Sequence, residues 1–252
     1  MTLKPVLQLS NLGHAYLGRK VLADINVTVE SGEVLALVGP SGCGKSTLAH
    51  ISSGILQVHE GAIERRYKRH AMIFQDTRLM PWATAAENIA YPLRLARIPR
   101  RQRRAHVLEA AQKVHLLPDD LIKFPVELSG GMQQRTAIAR ALVAHPDFVY
   151  YDEPFTALDV ALKRRMQDLV ISNAIATKTA GLFITHDLNE AARVAHRIVV
   201  LQANGHGILG TRQVPGSPGS RSDETLAEWV RDALRNDPLF AQIFDVDERA
   251  IT

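Results

Sequence analysis

The run Gly39-Pro40-Ser41-Gly42-Cys43-Gly44-Lys45-Ser46-Thr47 satisfies G-x-x-x-x-G-K-[ST] and constrains this chain more than any other feature. It follows the apolar segment Val34 to Val38 and opens a helical pattern, so strand, tight loop and helix are expected in succession. The glycines let successive backbone N–H groups converge on phosphate oxygens, and the helix N-terminus adds a favourable field. Lys45 is expected at the β- and γ-phosphates of a nucleotide. Ser46 is expected to ligate Mg2+, a hard cation that prefers oxygen.

A nucleotide-hydrolysing site also needs a carboxylate beside the metal and a base for water. Phe148-Val-Tyr-Tyr-Asp-Glu-Pro154 supplies both at the end of an apolar run, with Asp152 on the metal side and Glu153 as general base. Further buried strands are expected at Leu182 to Thr185 and Ile198 to Leu201, and helices at Ser46 to Ser53, Arg101 to Val114, Met132 to Val143 and Val160 to Ile175. This alternation implies an α/β fold with a parallel sheet. The N-terminal runs LQLSNLGHAY and VLADINVTVE alternate apolar with polar or small residues around a glycine turn, which predicts an antiparallel layer.

With 252 residues, 46% hydrophobic and 22% charged, the chain suits one α/β core with a subdomain, and disordered or fibrous classes drop out. No stretch approaches 18 consecutive apolar residues, and the N-terminus carries no export signal, so a cytoplasmic location is expected. Cys43 is the single cysteine, in keeping with a reducing compartment. The net charge of +4 is compatible with polyanions without requiring them.

Leu128-Ser-Gly-Gly-Met-Gln-Gln-Arg135 lies between the phosphate loop and the acidic strand. With these three motifs in this order, residues 7 to 210 resemble the nucleotide-binding subunit of an ABC transporter; Met132 stands where the family often has Gln. The resemblance implies a P-loop NTPase (RecA-like) parallel-sheet core with an N-terminal antiparallel β layer and an α-helical subdomain. It implies residues 1–215 as the ATPase domain, with the helical subdomain inserted at about 78–140, and 216–252 as a C-terminal linker and amphipathic helix. It further implies ATP and Mg2+, and a head-to-tail homodimer in which Ser129, Gly130, Gly131 and Asp159 reach the partner's nucleotide.

Other roles follow from the same resemblance. Tyr16 would stack on adenine, Gln75 would sense Mg2+ and the attacking water, and His186 would contact the γ-phosphate and position that water. The catalytic set is then Glu153, His186, Lys45 and Gln75, and the metal set Ser46, Gln75 and Asp152. Only 53 residues separate Gln75 from Ser129, enough for a small helical subdomain and too few for long coiled-coil arms. The segment Gln75 to Ile89, with Leu79-Met-Pro-Trp82 and Glu87-Asn88, is similar to ATPases of nitrate, sulfonate and taurine importers. That likeness implies two permease subunits contacted near Gln75 to Leu95, Trp82 shaping the cleft, an extracytoplasmic binding protein acting indirectly, and a peripheral place on the cytoplasmic face of the inner membrane. An exporter or lipid-transfer ATPase would share the catalytic residues, and a non-transport ABC ATPase on nucleic acid is a further alternative; nucleic acid is not the expected partner.

Two features stand apart. Residues 211–222 read as a linker, followed by a helix capped by Ser222 with Leu226, Trp229, Val230, Ala233 and Leu234 on one face. Arg94, Arg97, Arg100, Arg101, Arg103 and Arg104 place six charges in eleven residues, read as a solvated face with anionic lipid or nucleic acid as sharper alternatives.

Overall fold

The computed structural model describes residues 5–240. From the N-terminus come β1 (Pro5–Tyr16), β2 (Arg19–Glu30), β3 (Val34–Val38), α1 (Lys45–Ser53), β4 (Glu60–Arg65) and β5 (His70–Ile73). Then follow α2 (Ala85–Leu95), α3 (Arg100–Lys113), α4 (Gly130–Leu142), β6 (Phe148–Asp152), α5 (Val160–Thr177) and β7 (Ala180–Ile184). The chain continues with α6 (Leu188–Val194), β8 (Arg197–Leu201), β9 (Ile208–Gln213) and α7 (Asp223–Asn236).

β1 and β2 form an antiparallel hairpin whose two-residue loop, Leu17-Gly18, has φ of 48° and 81°. Two positive φ values are what a right-twisted hairpin needs, and the glycine supplies the second without strain. β4 adds to the other edge of β1. The main sheet has the order β5-β6-β7-β3-β8-β9, parallel throughout except for β9.

The central strands β3, β6, β7 and β8 are covered on both faces, so they are almost continuously apolar and alternate residues enter different cores, while the edge strands β5 and β9 are more exposed. Val34, Ala36 and Val38 join Val149, Tyr151 and Phe183 beneath the helical side. Leu35 and Leu37 join Phe148, Tyr150 and the α1 residues Leu48 and Ile51, closed over by Leu7, Leu9, Ile25 and Val29 of the antiparallel layer. The expected strands and helices all form, within a few residues at their ends. The linker expectation for 211–222 is corrected at its start: residues 211–213 belong to β9, paired antiparallel to β8. α7 is capped by Ser222, whose side chain accepts from the Thr225 N–H, and buries Val230 and Ala233 against the core while Leu226 and Trp229 pack at its margin. Residues 241–252 of the expected C-terminal segment lie outside the described residues.

Candidate functional site

The loops leaving β3, β6 and β7 at their carboxyl ends converge, the arrangement that open α/β sheets use for ligands. At the first, Gly42 and Gly44 have φ of 77° and 99°, a left-handed backbone that turns the chain sharply into α1. A Cβ on Gly44 would lie 2.7 Å from Leu22 Cδ2, and one on Gly39 would lie 2.9 Å from Cys43 Sγ and 3.1 Å from the Leu201 carbonyl. The loop is therefore seated against β2 and β8 by the absence of side chains, and its backbone is held in a cradle. Lys45, buried at 6% exposure, donates from Nζ to the carbonyls of Gly39 at 2.7 Å and Pro40 at 2.9 Å. Cys43 is buried as well, and burial pushes its thiol pKa up.

Ser46, in the first turn of α1, donates from Oγ to Asp152 Oδ1 at 2.8 Å. Asp152 is the last residue of β6 and only 3% exposed; burial raises its carboxyl pKa against the opposing pull of Ser46 and His50. Glu153 follows at φ 45°, its N–H bonded to the Ile184 carbonyl of β7 at 3.0 Å. That turn, uncommon for a non-glycine residue, swings Glu153 out of line with Asp152. His186, just beyond β7, places Nδ1 at 3.2 Å from Glu153 Oε2. Thr185 before it is fixed by donating to Glu190 Oε2 at 2.8 Å.

A buried carboxylate with an adjacent hydroxyl is a hard-oxygen pair suited to a divalent cation. A carboxylate oriented by a half-exposed imidazole suits water activation. Both lie beside a loop whose N–H groups and lysine favour phosphate.

The comparisons with known proteins agree with this chemistry. The family described as ABC transporter matches residues 22–156, more than half of the chain. The aliphatic sulfonates import ATP-binding protein SsuB 1 of Pseudomonas syringae is 39% identical over 225 residues, covering 87% of this chain and 91% of that protein. The taurine import ATP-binding protein TauB of Escherichia coli O157:H7 is 40% identical over 211 residues, covering 81% and 82%. The chain belongs to the ABC transporter ATP-binding family.

As an ABC ATPase it binds and hydrolyses ATP, and its fold has solved counterparts. The dimeric post-hydrolysis structure of the ATP-binding cassette MJ0796 bound to ADP and Pi superposes with a TM-score of 0.77 at 28% identity, covering 83% of this chain and 99% of that one. A second dimeric structure of the same cassette gives 0.76 at 31% identity.

Within this ABC fold the remaining expected residues fall in separate places. Ser129 is the N-cap of α4, its Oγ accepting from the Met132 N–H at 3.3 Å, with Gly130 and Gly131 behind it in the first turn. Gly131 packs toward Ala157 and Leu158, and Asp159 caps α5 by accepting from the Leu162 N–H at 2.9 Å. Ser129 to Gly131 and Asp159 thus share one neighbourhood of the chain. Gln75 is exposed just beyond β5. Tyr16 ends β1, is 45% exposed, and meets His14 edge-on with ring centroids 4.7 Å apart.

Three contributors escaped the sequence reading. Gln134 is buried and donates to the Pro154 carbonyl at 2.7 Å, tying α4 to the turn after Glu153. His50 Nε2 lies 3.8 Å from Asp152 Oδ2, and burial lowers its pKa below the usual imidazole value. His14, 4% exposed and with no hydrogen-bond partner for either ring nitrogen among the described residues, packs between Tyr16 and His59. His50 follows Ser46 by four residues, one helical turn, which puts both on the face toward Asp152; His14 had no local signal.

Trp82 is 77% exposed, so it is not core filler. With Tyr91, Leu95, Phe74 and Arg140 it lines a cleft of about 820 Å³ between β5, α2 and α4. Its floor is firm: Arg140 donates to the carbonyls of Thr77 at 2.7 Å and Arg78 at 2.8 Å, and Asn88 is buried while bonding Met80, Ala83 and Thr84.

Proposed function

We propose that this chain is the ATP-hydrolysing subunit of an importer for a small sulfonate or taurine-like anion, working as a head-to-tail pair beneath two permease subunits. The observation that carries the reading is the convergence of Lys45, the Ser46–Asp152 pair and the Glu153–His186 pair around one glycine loop. The likeness to sulfonate and taurine import ATP-binding proteins supports the cargo class.

In this reading the residues from Gly39 to Thr47 cradle the phosphates with backbone N–H groups, and Lys45 leaves its carbonyl partners to neutralise charge on the β- and γ-oxygens. Tyr16 stacks on adenine. Ser46 and Asp152 hold Mg2+, joined by Gln75; the ion would neutralise charge accumulating on the phosphates. Glu153 polarises the attacking water, and His186 keeps the Glu153 carboxylate aimed while facing the γ-phosphate. Ser129, Gly130, Gly131 and Asp159 serve the partner's nucleotide, so hydrolysis requires the closed pair. Their shared neighbourhood supports that role, because one docking event would deliver all four.

Residues 1–215 then make the ATPase domain, 78–140 its helical subdomain, and 216–252 the C-terminal segment. The cleft around Trp82, within the stretch Gln75 to Leu95, receives a cytoplasmic segment of the permease, since exposed aromatics in a pocket anchor interfaces. The protein sits at the cytoplasmic face of the inner membrane, and an extracytoplasmic binding protein supplies cargo. The test is to purify the tagged chain from gently solubilised native membranes. A polytopic permease should co-purify, and sulfonates with their binding protein should stimulate ATP hydrolysis of that complex. Recovery from the cytosol alone, or no permease, would overturn the importer reading.

A further inference from the structure

Between Asn88 and Leu108 the sequence has six arginines and no Asp or Glu. Arg94 lies in the last turn of α2, Arg97 in the following turn at φ 57°, and Arg100, Arg101 and Arg104 at the start of α3. Arg103 folds back, donating from Nε to the Ile98 carbonyl at 2.6 Å. The other five are exposed. Arginine ion pairs among the described residues are made by Arg66, Arg164, Arg193, Arg197 and Arg212, and by none of this group.

Local folding does not explain the cluster. The first turn of a helix favours carboxylates and disfavours cations, yet α3 has no acidic residue there and Pro99 gives no side-chain cap. The helix buries only Val107 and Ala111, so the arginines do not lend their stems to a core. Their place is informative. Tyr91, Leu95 and Ala96 line the cleft from α2 and its end, and the exposed Arg94 and Arg97 are their immediate neighbours in the chain. If the cleft takes a permease segment, the surface beside it lies against the membrane. No Phe, Tyr or Trp falls between Pro92 and Val114, where His106 is the single aromatic ring, so bases would find no broad stacking platform there. Guanidinium groups match phosphate oxygens in charge and geometry.

We propose that the Arg94 to Arg104 corner docks on anionic phospholipid headgroups beside the permease. The orientation rests on the importer reading, while binding to lipid is measurable without a permease. The purified full chain is sedimented with vesicles of phosphatidylcholine alone and of phosphatidylcholine mixed with phosphatidylglycerol, at low and at raised salt. Expected is at least about tenfold stronger partitioning onto the mixed vesicles, weakened by salt. Changing Arg97, Arg100, Arg101 and Arg104 together to Gln should reduce that partitioning on the order of 10²-fold, with ATP turnover unchanged. The pair Arg100→Gln and Arg101→Gln should give an intermediate loss and guards against a folding artefact. Equal binding to both vesicles, or a quadruple variant that binds like the parent, would overturn the proposal. Tighter, arginine-dependent binding to single-stranded RNA than to the mixed vesicles would overturn it in favour of nucleic acid. Vesicle binding that persists where no permease co-purifies would count against the importer reading alone.

Discussion

Lys45 spends its charge on two backbone carbonyls, and those contacts are ones that a phosphate can replace. Lys45→Ala should therefore abolish most nucleotide affinity with little effect on folding; unchanged ATP binding by calorimetry would remove Lys45 from the site. Gly44 carries a different constraint. With φ 99° and Leu22 Cδ2 only 2.7 Å from the position of a Cβ, Gly44→Ala should cost about 1–3 kcal/mol of stability, read by denaturant unfolding. Cys43 lies in the same loop at 1% exposure with its thiol pKa raised by burial, so native protein should react slowly with bulky thiol reagents, and any labelled fraction should fail to bind ATP. At this scale the phosphate loop, Asp152 and Glu153 were legible because each places chemistry at a strand end, and His186 through the family resemblance. His14 was not, since its burial against Tyr16 and His59 joins β1 to the segment before β4, a contact that no local pattern announces.

Helices α2 and α7 show what single elements contribute. α2 begins with a reciprocal cap in which Thr84 accepts from the Glu87 N–H and Glu87 accepts from the Thr84 N–H. Thr84→Ala should lower stability by about 1 kcal/mol and loosen the cleft that Tyr91 and Leu95 line. α7 is tied down by Asp223, which pairs with Arg164 and Arg193, and is followed by Asp237, which pairs with Arg212. The hydrogen bonds from Arg164 and Arg212 hold the carboxyls of Asp223 and Asp237 below the ordinary aspartate range. Depressed carboxyl pKa values stabilise the docked helix at pH above the unfolded value and lose that contribution as pH falls through the folded ones. The protection of α7 amides, taken relative to intrinsic exchange at each pH, should accordingly fall below about pH 4, by an amount limited by the solvent exposure of the pairs. Protection unchanged well into that acid range would contradict the role of these pairs. β9 and α6 were missed by sequence reading for opposite reasons: β9 is an exposed edge strand without alternation, and α6 is a seven-residue helix with five residues buried.

For the whole molecule, the alternation of short apolar runs with helical patterns was enough to specify a parallel α/β sheet with an antiparallel layer. Strand order was not legible, because β3 lies between β7 and β8 through crossovers that composition does not encode. That order is what brings Ser46 to Asp152 and Glu153 to His186, so the site is a product of topology acting on motifs that the sequence displays separately. In the proposed function ATP is hydrolysed here with Glu153 as the base. The most direct measurement is steady-state ATP hydrolysis by wild-type and Glu153→Gln protein, with ATP affinity determined on the same preparations. Turnover of the variant should fall by roughly 10² to 10⁴ while ATP affinity is retained. Near-normal turnover in a variant that still binds ATP would contradict it.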